Sequence, residues 1–425
     1  MRVTRRQFLG ASIAVTAALG FPSVLRLPRR EKLRIGVIGV ANRGGANLEG
    51  VSGEQIAALC DVDAGYLKSV AARHGDAKCY ADWRELLATE KLDGVVISTP
   101  DHTHAAPTLW ALRRKIPVYV EKPLTHTLAE CRAVIVAAAT AGVATQMGTQ
   151  IHAGENYHAV VELLRAGVIG KITRVTAWVG TDWSATAAPL AAPHAGAVPS
   201  GLNYDLWLGP EEQTPFSKAY HPAAWRRYWR FGGGGLADMA CHWLDLAWWA
   251  LDIGAPHSIS ATGPLPDAHG APAWLRCEWR APTPNGEVTV LWHGGSDRPA
   301  PRLRALGCDD FGNGILFEGD QGMLVADYDR WKVLPEAVGK KVVVPQRTLQ
   351  RSPGHHQEWL DAIRDGTPTS CPFSYSGRLT EAVLLGNVAF RTQRTIRWDA
   401  AKARCIDDDA ANALLARPVR PGWME

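Results

Sequence analysis

The sequence has no run of basic residues interleaved with aromatic residues, no internal repeat and no low-complexity tract. Its net charge of +4 is modest for 425 residues, and several of the cations fall near the N-terminus. A protein that binds nucleic acid would carry a clustered basic surface. The Ala-rich apolar run at residues 11–21 is too short for a secure membrane span. These absences exclude nucleic acid as a partner and predict no stable membrane span beyond an N-terminal signal.

None of the eight cysteines forms a CxxC pair or a Cys/His spacing typical of zinc. They are scattered, and most stand in apolar stretches, which indicates free buried thiols rather than disulfides. We therefore predict no metal site. The cysteines are Cys60, Cys79, Cys131, Cys241, Cys277, Cys308, Cys371 and Cys405.

The composition is that of an ordinary soluble protein, with 46% hydrophobic and 21% charged residues, and the length suffices for two domains. The 17 tryptophans are unusual, and many lie between Trp178 and Trp292. Clustered indoles suit stacking on sugar rings, but they suit a core or a subunit interface equally well. We expect most of them to belong to a core or an interface.

The first 30 residues read as a targeting segment and linker. Arg5-Arg6 precedes Phe8-Leu9 and the weakly hydrophobic run at 11–21. This pattern is typical of a twin-arginine (Tat) signal, which predicts export, for example to the periplasm. Because the Tat pathway carries folded proteins, a tightly bound cofactor could be loaded before export.

A glycine-rich loop follows the first predicted strand, at residues 33–39. The pattern Gly39-x-Ala41-x-x-Gly44 opens a predicted helix, as in loops that hold a pyrophosphate against a helix N-terminus. The middle position must be small, and alanine fits it less comfortably than glycine. The residues predicted to bind the cofactor here are Gly39, Ala41, Asn42, Arg43 and Gly44.

Asp61 ends the next predicted strand, at the distance from the loop where an acidic residue binds the adenosine ribose hydroxyls. A carboxylate there repels the 2′-phosphate of NADP, so the sequence predicts NAD as the cofactor in preference to NADP. Further strands alternate with helices up to about residue 150, which predicts a parallel, right-handed sheet.

Polar residues stand at the ends of three later strands, on the side of the glycine loop, where ligands bind in such sheets. Glu121 and Lys122 end the strand at 118–120, and Pro123 stops it. Alone, this pair could equally be a surface ion pair closing a strand. The further residues predicted to bind the cofactor are Thr99, Pro100, His104, Glu121, Lys122 and Gln150.

A second set of polar residues follows four glycines at 232–235. Asp238, His242 and Asp245 have the spacing of one helical face, on a helix that tryptophans and leucines make apolar nearly all round. Such a helix is expected to be buried. Its Asp and His must then be satisfied by each other, by Lys122 or by a ligand.

The chain from about residue 33 to residue 399 resembles the glucose–fructose oxidoreductase / inositol dehydrogenase / MocA (Gfo/Idh/MocA) family. The resemblance rests on the Gly39 loop, Asp61, the segment from Thr99-Pro100 to His104, and above all Glu121-Lys122-Pro123. It implies that the Asp238–His242 helix supplies catalytic residues that face the lysine. It also implies a homo-oligomer formed through the C-terminal sheet.

The chemistry of a sugar oxidation needs a base for the hydroxyl proton and a donor for the developing alkoxide. We assign His242 as general base or acid and Lys122 as the group that polarises the oxygen. Lys122 is also an alternative candidate for the proton transfer. Asp238 orients the pair or binds a neighbouring hydroxyl. Glu121 positions the lysine or lines the nicotinamide pocket, and His102 is a candidate to reach the substrate.

The predicted fold is α/β: an N-terminal Rossmann domain with a parallel sheet, followed by an α+β domain with an open, mainly antiparallel sheet. The predicted boundaries are 1–30 for the signal and linker, 31–155 for the NAD-binding domain, 156–400 for the substrate and oligomerisation domain, and 401–425 for a C-terminal tail.

The predicted function is an NAD-dependent oxidoreductase acting on a hydroxyl of a sugar or sugar derivative, with NAD tightly bound. Export favours a bound cofactor, because a free NAD pool is not expected outside the cytoplasm. Two alternatives stay open. One is a redox-neutral, NAD-dependent glycoside hydrolase acting through a keto intermediate, and the other is a sugar-binding protein that has lost turnover.

Overall fold

Two β-sheets organise the computed structural model, which describes residues 31–180, 194–222 and 224–424. The predicted export signal and linker at 1–30 lie outside the described residues. Among the described residues, no helix is both long and apolar enough to cross a bilayer.

The first sheet is parallel throughout and has six strands in the order β3-β2-β1-β4-β5-β6. Its central strands are short apolar runs buried on both faces, as expected when helices cover both sides of a parallel sheet. This confirms the predicted Rossmann domain. The strands are β1 (Arg34–Ile38), β2 (Gln55–Cys60), β3 (Lys78–Tyr80), β4 (Gly94–Ile97), β5 (Val118–Glu121) and β6 (Thr145–Gly148).

Helices connect these strands, and local capping sets several of their ends. The Asp63 side chain accepts from the first N–H groups of α2, and Thr127 with Glu130 forms a capping box at the start of α5. Gly142 ends α5 in a left-handed conformation. The helices are α1 (Arg43–Gly50), α2 (Ala64–Ala71), α3 (Trp83–Thr89), α4 (Ala105–Arg113) and α5 (Leu128–Ala141).

The second sheet is mixed and has nine strands in the order β13-β12-β11-β7-β10-β9-β8-β14-β15. Only β7 and β10 pair in parallel among these described strands, so the prediction of a mainly antiparallel sheet is confirmed. The strands are β7 (Ile172–Val179), β8 (Ser258–Thr262), β9 (Trp274–Thr283), β10 (Gly286–Gly295), β11 (Gly314–Gly319), β12 (Met323–Ala326), β13 (Trp331–Leu334), β14 (Ile396–Asp399) and β15 (Arg404–Cys405).

A long buried helix, α13 (Phe373–Thr392), packs against helices of both halves, namely α5, α8 and α14. Asn387 of α13 donates to the backbone carbonyl of Gly233, at the start of α8, with a distance of 2.9 Å. This contact helps to fix α8 against the core. The helices are α6 (Glu155–Arg165), α7 (Tyr204–Leu208), α8 (Gly234–Trp243), α9 (Asp245–Leu251), α10 (Ala300–Ala305), α11 (Glu336–Gly339), α12 (His355–Asp365), α13 (Phe373–Thr392) and α14 (Asp409–Ala413).

Asp245 pairs with residues other than Asp238 and His242. A single residue, Leu244, separates α8, which ends at Trp243, from α9, which begins at Asp245. The Asp245 carboxylate lies 2.8 Å from His152 Nδ1 and accepts a hydrogen bond of 2.7 Å from the Tyr375 hydroxyl. It is therefore a buried structural partner rather than a third member of the Asp238–His242 pair.

Two late segments of the chain contact the Rossmann domain, one at its sheet and one at helix α5. Trp359 of α12 is fully buried and packs so closely on Gly94 that an added Cβ would lie 2.7 Å from the indole. Arg417, near the C-terminus, forms buried ion pairs with Glu130 and Glu211, at 2.7 and 2.8 Å. The C-terminal residues are thus anchored to the body of the protein.

The cysteines are free thiols and most tryptophans are buried, as predicted, with one exposed cysteine as the exception. All eight cysteines are free thiols, and seven are buried, but Cys79 is exposed. Most tryptophans belong to the buried core, including Trp178, Trp279, Trp292 and Trp359, which are almost fully inaccessible.

Candidate active site

Lys122 lies where strand β5 ends, and its side chain crosses from the Rossmann sheet to helix α8. Its ammonium donates to Asp238 Oδ1 at 2.5 Å and to the Asp238 backbone carbonyl at 2.6 Å. Lys122 is 7% exposed, and so is Asp238. The two chemical motifs found in the sequence therefore meet in a buried ion pair, as the prediction required.

Asp238 has a second cationic partner that sequence reasoning missed. Arg226 Nε lies 2.8 Å from the same carboxylate oxygen that binds Lys122. Burial alone would raise the pKa of Asp238, but the charges of Lys122 and Arg226 outweigh it and the pKa falls below its ordinary value. Asp238 is therefore an ionised carboxylate held between two cations.

His242 stands one turn after Asp238 on α8, and its side chain is half-buried. Burial lowers the pKa of His242 well below its ordinary value, and the Lys122 charge adds to this effect. The imidazole is therefore neutral at neutral pH. Its Nδ1 is buried without a hydrogen-bond partner among the described residues. A neutral imidazole beside a fixed ammonium can accept a proton from a bound hydroxyl.

The glycine loop has the tight form that a dinucleotide requires. Gly39 has φ +82°, and a Cβ added to Gly44 would fall 2.0 Å from the Gly39 carbonyl oxygen. The Asp61 carboxylate accepts from the backbone N–H of Val40 at 3.0 Å and from that of Asp63 at 2.9 Å. These bonds hold Asp61 against the loop, where a ribose is expected, so the residues present fit a dinucleotide.

The other predicted loop residues begin helix α1. Ala41 is half-buried, and Asn42 adopts a positive φ of 50° at the helix start. Arg43 is exposed at the first helical position, yet its charge also lowers the pKa of His242 after the larger effect of burial. The start of α1 and the α8 site are thus electrostatically coupled.

Glu121 does not position the lysine ammonium, which corrects one of its two predicted roles. Its carboxylate accepts from Asn47 Nδ2 at 2.9 Å and from Gln150 Nε2 at 2.6 Å, while Lys122 turns to Asp238. Glu121 therefore ties α1 to the segment after β6. The predicted contact of Glu121 and Gln150 with the cofactor stays a prediction.

The His104 ring links the segment after β4 to the segment after Lys122. Its Nδ1 lies 2.8 Å from the Pro123 carbonyl oxygen, and its Nε2 lies 2.8 Å from the Thr99 carbonyl oxygen. His102 is fully buried, and its Nε2 lies 2.9 Å from the Trp207 carbonyl oxygen, while its Nδ1 has no hydrogen-bond partner among the described residues. Its contact with the substrate stays a prediction.

Several buried polar atoms around Lys122 have no hydrogen-bond partner among the described residues. They are Thr99 Oγ1, both carboxylate oxygens of Asp101 and His242 Nδ1. Buried polar groups are nearly always satisfied in folded proteins, and exceptions concentrate where a ligand or a reaction supplies the missing partner. This local excess marks the C-terminal edge of the parallel sheet as the candidate active site.

The strongest metal-type cluster of the described residues lies elsewhere. Ligand atoms of His152, Asp245 and Cys371 lie within 4.8 Å of one another and are buried. However, His152 and Asp245 already hydrogen-bond to each other, and Tyr375 donates to Asp245. The cluster is satisfied without an ion.

Two family models match most of this architecture. An oxidoreductase family described by its NAD-binding Rossmann fold matches residues 33–149, and the C-terminal alpha/beta domain of the same family matches residues 154–303. Together they cover more than half of the chain. The chain belongs to the Gfo/Idh/MocA family of oxidoreductases. The resemblance read from the sequence is thereby confirmed, and NAD is the cofactor of the family's Rossmann domain.

Individual relatives match shorter stretches. Inositol 2-dehydrogenase of Rubrobacter xylanophilus is 31% identical over 153 residues, which cover 35% of this chain and 44% of the relative. An alpha-N-acetylgalactosaminidase of Shewanella oneidensis is 28% identical over 203 residues, covering 40% of this chain and 44% of the relative. The chain thus spans less than half of the length of these relatives.

A solved structure matches over nearly its whole length. The WlbA dehydrogenase from Bordetella pertussis, crystallised with NADH and UDP-GlcNAcA, has a TM-score of 0.62 at 17% sequence identity. The match covers 87% of this chain and 99% of that one. At this identity the likeness establishes the fold.

The residues that sequence reasoning missed carry no pattern of their own. Arg226 stands among several arginines and aromatics, and nothing local distinguishes it from its neighbours. Asn47 lies on α1, where its Nδ2 reaches Glu121, and its Oδ1 lies 3.0 Å from His356 Nε2. The His355-His356 pair at the start of α12 stands out in the sequence, but only the fold shows which residues the two histidines contact.

Proposed function

We propose that this protein is an NAD-dependent oxidoreductase that acts on a hydroxyl of a sugar or sugar derivative and keeps its NAD tightly bound. One observation carries the proposal. The buried Lys122–Asp238 ion pair joins the cofactor domain to α8, and the neutral His242 stands beside it. A proton donor, a proton acceptor and a cofactor edge therefore converge at one place.

The chain's own residues have complementary tasks in this proposal. Bound NAD supplies the two-electron oxidant. His242 Nδ1, which has no hydrogen-bond partner in the described part of the chain, accepts the hydroxyl proton, while the Lys122 ammonium donates to the same oxygen as negative charge develops. Asp238, fixed between two cations, holds the ammonium in place. Asp61 and the loop from Gly39 to Gly44 would hold the adenosine ribose and the pyrophosphate.

A redox-neutral glycoside hydrolase is the second candidate. It is favoured by one finding, the similarity to the Shewanella oneidensis alpha-N-acetylgalactosaminidase. In that reaction the sugar would give two electrons to bound NAD and later regain them, and the same base and ammonium would serve the proton transfers of oxidation, aglycone elimination and reduction. The inositol 2-dehydrogenase relative supports net oxidation at least as well.

We also propose that the protein is exported through the Tat pathway and forms a homo-oligomer. Export is supported by the Arg5-Arg6 pattern and the apolar run after it. Assembly through the second sheet is supported only by membership of the family. Fractionation of cells and an Arg5→Lys/Arg6→Lys variant test export, and light scattering tests assembly.

The experiment that tests the function works whichever sugar is the substrate. Purified protein is denatured, and the supernatant is assayed for NAD(H). Intact protein is then incubated with a panel of sugars, with and without an electron acceptor, and with aryl glycosides without added cofactor. Released NAD with acceptor-dependent sugar oxidation supports the proposal. Aglycone release without acceptor supports the hydrolase, and absence of nucleotide together with failure to bind it contradicts both.

A further inference from the structure

Asp101 is a buried carboxyl group that the mechanism above does not use. It follows the Thr99-Pro100 segment at the end of β4 and begins the short 3-10 turn Asp101–Thr103. It is 2% exposed, and neither of its carboxylate oxygens has a hydrogen-bond partner among the described residues. A buried carboxyl group with no partner costs folding free energy, so a merely structural role does not account for it.

The groups that act on Asp101 are those of the candidate active site. The charges of Arg226 and Lys122 lower the pKa of Asp101, and the Asp238 carboxylate of α8 raises it, after the larger effect of burial. His104 lies on its own turn, and the Cys241 thiol of α8 is also within its electrostatic reach. The turn that Asp101 begins also lies against the Lys122 segment, since His104 Nδ1 is 2.8 Å from the carbonyl oxygen of Pro123. Asp101 is therefore in the electrostatic surroundings of the ammonium and guanidinium that pair with Asp238.

We propose that Asp101 is a positioning residue of the active site, a second carboxyl group that sets the net charge around Lys122 and Arg226 without touching the substrate. This inference rests on the proposed function. With Asp101 protonated, two cations share only the Asp238 carboxylate, and the cluster keeps one net positive charge. With Asp101 ionised, the cluster is neutral.

Burial shifts the ionisation of Asp101 toward neutral pH. It raises the pKa of Asp101 to about 6, although Arg226, His104 and Lys122 oppose it. Above that pH, the ionised carboxyl stabilises positive charge in the site. The two positive charges that matter are the imidazolium formed when His242 takes the proton and the oxidised nicotinamide ring, which carries one charge more than the reduced ring.

The test compares the wild type with Asp101→Asn, which keeps the shape and removes the charge. The dissociation constants of NAD+ and NADH are measured by fluorescence from pH 5 to pH 8. At pH 8 we expect Asp101→Asn to weaken binding of NAD+ relative to NADH by about tenfold, the factor that corresponds to a shift of about one pKa unit. At pH 5 we expect the substitution to change this ratio little. Asp101→Glu should restore most of the preference. Asp329→Asn, which removes an exposed carboxylate, should change nothing.

A second readout uses a sugar that the wild type oxidises. The pH profile of kcat/KM should lose a step near pH 6 in Asp101→Asn and keep it in Asp101→Glu. An Asp101→Asn protein that folds normally, with the wild-type ratio of the two dissociation constants at every pH, overturns this inference and leaves the proposed function standing. Nucleotide binding without turnover of any sugar would instead contradict the proposed function. Because the ratio of dissociation constants needs no sugar, it decides on Asp101 in either case.

Discussion

Replacing Asp101 with asparagine should stabilise the protein at neutral pH and leave its stability nearly unchanged in acid. Asparagine keeps the shape of the side chain, and its amide resembles the neutral acid that the fold prefers. Burial raises the pKa of Asp101 from its ordinary 3.8 to about 6. In the unfolded chain the same group ionises near its ordinary pKa, so the folded state binds more protons between these two values. Stability due to Asp101 is therefore lost as pH rises through this window.

The magnitude follows from the two pKa values. Their separation corresponds to about 3 kcal/mol, which is the gain expected for Asp101→Asn at pH 7. At pH 4 the same linkage leaves a gain of only about 0.5 kcal/mol. Urea unfolding of both proteins at a series of pH values measures the difference, with Asp329→Asn as the control for loss of an exposed charge. A constant difference across pH, or a loss of stability at pH 7, would refute the reasoning.

Three further substitutions test other parts of the account. Lys122→Ala should lower kcat by about 10²- to 10⁴-fold while the fold is retained, because Asp238 keeps a second cation; steady-state kinetics and circular dichroism measure this. Asp61→Ser should reduce the preference for NAD over NADP by about tenfold or more, because it removes a charge that repels the 2′-phosphate; the dissociation constants report it. Arg417→Met should cost about 3–5 kcal/mol of stability in urea, because it leaves the buried Glu130 without its cation and the buried Glu211 with only Arg230.

Matched controls make these outcomes decisive. Lys340→Met breaks an exposed ion pair with Glu336 and should leave the urea midpoint unchanged, unlike Arg417→Met. Equal losses of stability in Lys340→Met and Arg417→Met would show that the buried ion pairs of Arg417 stabilise the protein no more than an exposed pair does. Substantial residual turnover in Lys122→Ala would assign the proton to His242 alone, and an unchanged nucleotide preference in Asp61→Ser would remove Asp61 from the cofactor site.

The Rossmann half was predictable because its signals are local. The glycine loop, the buried strand runs and the caps of α5 each sit within a few residues of the element they define. Thr127 and Gly142 mark both ends of α5 by their residue types, an N-cap threonine and a left-handed glycine. The meeting of Lys122 with Asp238 was also foreseen, since a buried lysine and a buried aspartate each need a partner.

The remaining site residues could not be predicted because their roles depend on packing between distant segments. Arg226 and Asp101 have no distinguishing local pattern, and only the fold brings them to the same cluster. Asp245 likewise pairs with His152 and Tyr375, which stand 93 and 130 positions away in the sequence, so its structural role could not be read from its place on the helix.

The most direct test of the central claim is a single turnover on the bound cofactor. Wild-type protein loaded with NAD is mixed with a panel of sugars, and the absorbance of the reduced nicotinamide is followed beside an NAD-loaded Asp238→Asn variant. We expect at least one sugar to reduce a large share of the bound NAD in the wild type. The variant should bind NAD as well but reduce it at least about a hundredfold more slowly, because a neutral amide replaces the carboxylate that pairs with the ammonium. Reduction at the same rate in both proteins, or in neither with any sugar, would contradict the claim that the Lys122–Asp238 pair is the reaction centre.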